Sequence, residues 1–224
     1  MKILGVILAR GGSKGVPNKN IRSLNGMPLI YWTIKEALLS KYISRTILSS
    51  ESDEIIQVAE SFGCDVPFRR NSDLALDNTA SIDVALDAIN RCPGYDWVML
   101  LQPTSPFRKA HHIDAAIEKT LQYQAKSCAS VVVVKENPHW MFKIDNELKL
   151  KKIINDKVYS RRQELPKIFK LNGAIYLSEI SRLRTNKTFV DDDTLSYEMF
   201  ENDSVDIDTE YDFKHCEEIF NLSI

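Results

Sequence analysis

The sequence predicts an α/β domain with a mostly parallel sheet and helices on both faces. Three observations carry this. Short, uninterrupted apolar runs such as "KILGVILA" near the start and "WVMLL" at 97–101 match strands buried on both sides. Amphipathic stretches of ~12 residues with helical spacing lie between such runs. The two kinds of segment alternate along most of the chain, as strand–helix–strand crossovers in a parallel sheet require.

The elements follow in order. "KILGVILA" is read as a first strand and not as a secretory leader, because its apolar run is short and no A-x-A site follows. "PLIYWTIKEALLS" is a helix, with Pro28 suited to its first turn. "RTILSS" is a strand. "SDEIIQVAESFG" is a helix with Ser52 as cap and Gly63 as stop. "CDVPF" is a short strand, "SIDVALDAINRC" a helix, "WVMLL" a buried strand, "HIDAAIEKTLQY" a helix and "CASVVVV" a strand. From about Lys135 to Leu171 the alternation breaks. This stretch is more polar, rich in Lys and Arg, and poor in helical periodicity. It predicts a β-rich excursion from a single domain spanning 1–224. "NGAIYLS" then resumes as a strand. A short helix, a polar stretch near "NKTFVDDDT", a strand "DSVDID" and a final helix "TEYDFKHCEEIF" complete the chain.

Composition narrows the function classes. A chain of 224 residues can bury a core without staples. Its formal net charge of -2 gives no bulk basic field for nucleic acid, so any anion site must be local. Cys64, Cys92, Cys128 and Cys216 form no C-x-x-C pair, and no His lies at metal-ligand spacing from them. They read as small core residues in a reducing compartment. No apolar run approaches the ~18 residues that span a bilayer. The expectation is a cytoplasmic protein with neither membrane nor nucleic-acid partner.

Four segments carry chemistry. "ARGGSKGVPNKN" follows the first strand, and ligands of open parallel sheets bind beyond the carboxyl ends of strands. Its glycines let backbone N–H groups approach a phosphate, and Arg10, Lys14 and Lys19 supply charge. A solvated glycine-rich turn accounts for the same composition. The spacing fits neither a Walker loop nor a G-x-G-x-x-G turn. "LLQPTSPFR" follows the strand at 97–101. Its prolines fix a loop lined by Gln102, Thr104, Ser105 and Arg108, which suits either a base or sugar contact or a rigid turn. In "SVDIDTEYDF", alternation along a strand puts Asp206 and Asp208 on one face. Such a pair repels unless a cation or a proton intervenes, and Mg²⁺ is held by one or two carboxylates plus substrate phosphates. A cap on the last helix explains one of these acids but not both. Finally, Arg161, Arg162, Lys167 and Lys170 cluster before "NGAIYL", as either a carboxylate site or a solvated basic face.

Taken together, "LARGGSKGVPNKN", "LDNTAS", "LLQPTSPFR", "LPKIFKLNGAIYL" and "DIDTEYDF" resemble the acylneuraminate cytidylyltransferases, or CMP-sialic acid synthetases. The blocks occur in the family's order, and the similarity spans nearly the whole chain. The resemblance implies a Rossmann-like nucleotidyltransferase fold with a dimerisation arm, and hence a homodimer. It implies CTP and a nonulosonic acid as substrates, and Mg²⁺ or alternatively Mn²⁺ as cofactor. It places Arg10, Ser13, Lys14, Lys19 and Asn20 on the CTP phosphates and ribose, and Arg69 and Ser81 on the nucleotide. Gln102 falls between nucleotide and sugar, and Arg162, Asn172 and Tyr176 fall at the sugar acid. Asp206 and Asp208 match the metal pair, with Arg10 and Lys19 beside them in catalysis.

Two positions depart from the family pattern. Lys170 stands where members using N-acetylneuraminate commonly carry Arg. Trp140 occupies a region where some members place a Lys near the sugar tail. An apolar residue there suits a deoxygenated, acylamino-bearing tail and points to legionaminic-type acids. The competing readings are a cytidylyltransferase for a 3-deoxy-manno-octulosonate-type acid, a sugar 1-phosphate nucleotidyltransferase, and a non-catalytic nucleotide-binding protein on the same scaffold.

Overall fold

A computed structural model describes residues 1–222. The first half of the chain forms β1 (Ile3–Leu8), the two-residue strands β2 (Ser23–Leu24) and β3 (Met27–Pro28), α1 (Leu29–Leu38), β4 (Ile43–Ser49), α2 (Asp53–Ser61) and α3 (Ser81–Arg91). Then come β5 (Trp97–Leu101), α4 (Ala110–Gln122), β6 (Ser127–Val133), β7 (Phe142–Ile144), β8 (Leu150–Lys152), β9 (Phe169–Glu179), α5 (Ile180–Asn186), β10 (Leu195–Glu198) and α6 (Glu210–Leu222). The central sheet has the order β10-β6-β9-β5-β1-β4. Every adjacent pair is parallel except those made by β9, which runs against both β5 and β6.

The uninterrupted apolar runs are explained by layers on both sides of this sheet. On one face Ile3 and Ile7 of β1 and Met99 and Leu101 of β5 pack with Ile30 and Ile34 of α1, Ile55 of α2 and Ile113 and Ile117 of α4. On the other, Leu4, Val6, Val98 and Leu100 pack with Ala85, Ala88 and Ile89 of α3 and Leu183 of α5. Successive strand residues face opposite layers, so both sets must be apolar. A third cluster joins Val16, Leu24 and Leu29 to Phe107, Ile207, Phe213 and Cys216. It fixes α6 and the segment before it against the carboxyl ends of the strands.

Local signals act as expected at several boundaries. The Ser52 hydroxyl accepts a bond from the Ile55 N–H (3.4 Å), and Gly63 takes φ +80° after α2. Other expectations need correction. "CDVPF" adds only one bridge, between Asp65 and Ile47, because Pro67 offers no donor to extend the pairing. "DSVDID" is not a strand. Asp203 ends a short 3-10 turn, the residues after it form no ladder, and Ile207 makes a lone backbone bond, donating to the Thr104 carbonyl (2.9 Å). A strand absent from the sequence reading, β10, lies in the polar stretch and pairs parallel with the β6 edge. Its four-residue alternation of Leu195 and Tyr197 with polar residues is too short to stand out.

Between β6 and β9 the chain leaves the sheet. It makes a turn at Pro138–Trp140, the β7–β8 hairpin and an extended return. Among the described residues no helix is long and apolar enough to cross a membrane. The four cysteines are buried and free.

Candidate active site

Beyond the carboxyl ends of β1 and β5 lies a cavity of about 280 Å³. Arg10, Ser13, Lys14, Lys19, Asn20, Ser81 and Gln102 all line it. The loop after β1 is held from beneath. Glu51, just beyond β4, accepts the Gly11 N–H at 2.7 Å and an Arg70 guanidinium N–H at 2.5 Å. Arg70 also donates to the Ala9 carbonyl (3.1 Å), and the Asn20 amide donates to the Arg10 carbonyl (3.0 Å). Burial disfavours the Glu51 carboxylate, but the bonds from Arg70 and Gly11 outweigh it and hold its pKa below the ordinary value. Arg70 is buried, whereas Arg69 sits outside the cavity, bonded to the Glu51 carbonyl (3.1 Å) and paired with Asp53 (3.1 Å). The family resemblance points to Arg69. The structure brings its neighbour to the loop.

The glycines have different reasons. Gly12 has open space around it, while a Cβ at Gly15 would collide with the Asp208 carbonyl oxygen. Gly173 has φ +77°, and a Cβ there would lie 2.9 Å from Gln102 Oε1 and 3.4 Å from Asp206 Oδ2. Two backbone close approaches thus bring together the β1 loop, the β5 loop, β9 and the segment 206–208.

That segment divides the site. A second cavity of about 430 Å³ is lined by Lys135, Glu136, Lys170, Asn172, Glu201, Ser204, Asp206, Asp208 and Asp212, among others. Asp208 lines both cavities. Lys19 ties it in place, donating to the Ile207 carbonyl (2.6 Å) and to Asp208 Oδ1 (3.3 Å). Asp206 Oδ1 is buried with no hydrogen-bond partner. Burial raises the Asp206 pKa; the Thr104 side chain opposes this, and Asp208 adds to it. Asn172 is locked by Ser130 (2.6 Å) and Ser204 (2.9 Å).

Trp140 and Arg162 line neither cavity. They line an adjoining hollow with Lys135, Glu136, Met141 and Leu165, and the Trp140 indole N–H is bonded to the Tyr159 carbonyl (3.0 Å). Tyr176 is part-buried beside Phe189 in the sheet layer, off the cavity walls. Arg108 does not line the β5 loop either. It is fully buried, donating to the Gln102 carbonyl (3.1 Å), the Ala174 carbonyl (2.9 Å) and the Thr33 hydroxyl (2.6 Å). Burial lowers its pKa to about 9, with Glu36 opposing. Its role is to clamp the β5 loop to β9. Glu51, Arg70 and Arg108 are supports that composition does not mark, beyond their being charged residues flanking conformationally fixed loops.

A family model described as "Cytidylyltransferase" matches residues 4–219. The chain is 37% identical to a CMP-N,N'-diacetyllegionaminic acid synthase of Legionella pneumophila, covering 100% of this chain and 98% of that one. It is 33% identical to the synthase of the same name from Campylobacter jejuni, covering 99% and 96%. An N-acylneuraminate cytidylyltransferase of Streptococcus agalactiae is 32% identical, over 96% of this chain and 52% of that longer protein. A solved CMP:2-keto-3-deoxy-manno-octonic acid synthetase in complex with CTP superposes over the full length of both chains, with a TM-score of 0.76 at 15% identity. At that identity the likeness speaks for a shared nucleotidyltransferase fold. The chain belongs to the cytidylyltransferase family.

Proposed function

We propose that the chain transfers CMP from CTP to the anomeric hydroxyl of a nonulosonic acid and releases pyrophosphate. The observation that carries this reading is Asp208, which lines both cavities. A residue so placed serves a group shared by two substrates, and the α-phosphate is that group. The names of the relatives from Legionella and Campylobacter support the acceptor class.

In this reading the cavity after β1 holds CTP. Arg10, Lys14 and Lys19 face its phosphates, and Ser13, Asn20, Ser81 and Gln102 complete the lining. The acceptor lies in the second cavity, with Lys170 and Asn172 beside its carboxylate. The acceptor oxygen bonds to the α-phosphorus, the bond from that phosphorus to the pyrophosphate oxygen breaks, and the hydroxyl proton passes to solvent. Arg10 and Lys19 stabilise the charge that develops on the departing pyrophosphate. The donor set fits Mg²⁺ or Mn²⁺: two carboxylates on one cavity wall, one with an unpartnered buried oxygen. Asp206 and Asp208 would hold the ion. When bound, it supplies charge neutralisation at the phosphate oxygens.

Trp140 bears on the choice of acid. Its only N–H donor is already bonded to Tyr159, so the ring offers an apolar surface to the hollow beside the acceptor cavity. A tail ending in a methyl group packs there, whereas buried hydroxyls would go unpaired at ~1–3 kcal/mol each. The chain therefore prefers a legionaminic-type acid. Pyrophosphate release is to be measured with CTP and each of N,N'-diacetyllegionaminic, N-acetylneuraminic and 3-deoxy-manno-octulosonic acid. The expected order puts the first ahead of the second in kcat/KM by about tenfold or more, ~1.4 kcal/mol per decade. Trp140→Lys should narrow that gap. Release with none of the three acids would refute the transferase reading, and a preference for N-acetylneuraminic acid would refute the role given to Trp140.

A further inference from the structure

The segment 71–80, between α2 and α3, folds over the loop after β1. It is closed by its own bonds. The Asp73 N–H donates to Asn71 Oδ1 (3.1 Å), Leu74 N–H to the Asn71 carbonyl (3.0 Å), and Thr79 N–H to the Leu76 carbonyl (3.1 Å). The Thr79 hydroxyl adds a bond to the Asp73 carbonyl (3.2 Å). None of these uses the Asp77 carboxylate. That group reaches across to the β1 loop and bridges two cations, with Oδ1 2.8 Å from an Arg10 guanidinium nitrogen and Oδ2 2.5 Å from Lys14 Nζ. The same Arg10 nitrogen donates to the Ala75 carbonyl (3.4 Å).

Arg10 and Lys14 are among the cations that the proposed function assigns to the donor's phosphates, and the role of Asp77 rests on that reading. A phosphate oxygen and the Asp77 carboxylate cannot both occupy the space between that guanidinium and that ammonium. Binding of the donor is then an exchange of one anion for another. We propose that Asp77 is a built-in counter-anion of the nucleotide site, which the donor's phosphates displace from Arg10 and Lys14 and which returns when pyrophosphate leaves.

The location supports the exchange. Asp77 lines a cavity of about 270 Å³ that shares Leu8, Arg10 and Ser81 with the nucleotide cavity, so the carboxylate sits at their junction. Its side chain is half-exposed and can swing out without breaking the bonds that close its own loop. The bond from Lys14, with Arg10 adding to it, holds the carboxyl below its ordinary pKa, so it is a carboxylate throughout the neutral range. A polyphosphate contacts both cations at once with more charge than a carboxylate carries, which gives it the advantage in the exchange. Asp77 is a positioning residue in this scheme. It holds two flexible cations in register until the donor arrives, at the expense of part of the donor's binding energy.

The test uses the full-length protein with pyrophosphate as the probe, titrated calorimetrically into wild type, Asp77→Asn and Arg10→Ala. Exposed ion pairs are individually weak, so the expected gain is modest: Asp77→Asn should bind pyrophosphate about three- to tenfold more tightly. The KM for CTP should fall by a similar factor while the KM for the sugar acid stays in place, a split that a merely structural role would not produce. Unchanged or weaker pyrophosphate binding by Asp77→Asn, with Arg10→Ala still weakened, overturns the exchange and leaves the phosphate assignment standing. Arg10→Ala binding pyrophosphate like wild type overturns the phosphate assignment, and the exchange with it.

Discussion

Gly15 packs directly on the backbone carbonyl of Asp208, in a space where a Cβ would overlap the oxygen. This contact joins the first functional loop of the chain to its last. Lys19 repeats the connection four residues on, through the Ile207 carbonyl at 2.6 Å. The acidic segment is thereby placed by the cationic loop, and a change in either is felt in both.

Gly15→Ala should therefore impair catalysis more than stability. The new methyl must push the 206–208 segment away, and overpacking of this kind costs ~1–3 kcal/mol. The expected kcat/KM is lower by about 100-fold, as displacements near 1 Å produce, with a far-UV spectrum like wild type. An alanine variant with wild-type kinetics would show that the contact has no part in placing Asp208.

Asp208→Asn should leave the fold intact and stop turnover. The side chain is exposed, and the Lys19 bond to the Ile207 carbonyl remains to hold the segment. Asparagine keeps the shape but loses the charge proposed to hold the metal, and a loss of about 100-fold or more in kcat is expected. Assays in rising Mg²⁺ decide this, since full recovery at saturation would mean that Asp208 only tunes affinity.

Much of this site was legible in the sequence because it sits on strand ends marked by sharp compositional breaks. The apolar run ending at Arg10 fixed the place of the β1 loop, and "WVMLL" running into "QPTSPFR" fixed that of Gln102. What could not be read was the support. Arg70 and Arg69 are adjacent and identical in type, and only the direction of the chain after Phe68 decides which turns inward. Arg108 reads as lining the β5 loop, whether that loop meets a ligand or is a rigid turn, because composition cannot show that three acceptors await it in the core. β9 reads as another strand of an alternating series, yet the excursion before it holds no α-helix to carry the chain back across the sheet, so β9 returns antiparallel beside β6 and also runs against β5.

Arg108→Met should destabilise the protein strongly. The substitution removes the guanidinium bonds to the Gln102 and Ala174 carbonyls and to the Thr33 hydroxyl, and leaves Lys109 (3.8 Å) as the cation beside the buried Glu36. Removing one member of such a buried network costs ~3–5 kcal/mol. Urea unfolding should show the midpoint shift at unchanged slope. A loss below ~1 kcal/mol would mean that the loop re-forms its bonds without the guanidinium.

The β7–β8 hairpin should be covered by a second copy of the chain. An isolated two-stranded hairpin is marginal in water, and this one exposes Ile144 (68%), Leu148 (86%) and Leu150 (64%). The resemblance to the acylneuraminate cytidylyltransferases implies a dimerisation arm in the same stretch. Light scattering at micromolar concentration should report a homodimer. Ile144→Asp combined with Leu150→Asp should give a monomer. A wild-type monomer with full activity would remove the arm from the functional reading.

His112 should make the protein lose stability in mild acid. Its Nδ1 accepts the Lys109 N–H (3.1 Å) at the start of α4, which fixes the proton of the neutral ring on Nε2, 3.6 Å from Asp203. Burial lowers the ring's pKa to about 4; His111 adds to this, Asp203 opposes it, and Arg108 and Lys109 act with His111. The unfolded chain takes up this proton near the ordinary value of 6.5. The folded chain resists until about 4, so over that interval the unfolded state binds more protons. Stability from this group is complete above the unfolded value, falls as pH drops through the interval, and levels off below it. The loss should be on the order of 1–3 kcal/mol, the size that a shift over this interval implies. His112→Gln removes the titration while its side-chain oxygen can still accept the Lys109 N–H, as glutamine does three residues into a capping box. Unfolding in urea at pH 7, 6, 5 and 4 should show a shallower acid slope for His112→Gln than for wild type. Parallel slopes would assign the acid sensitivity to the carboxylates instead.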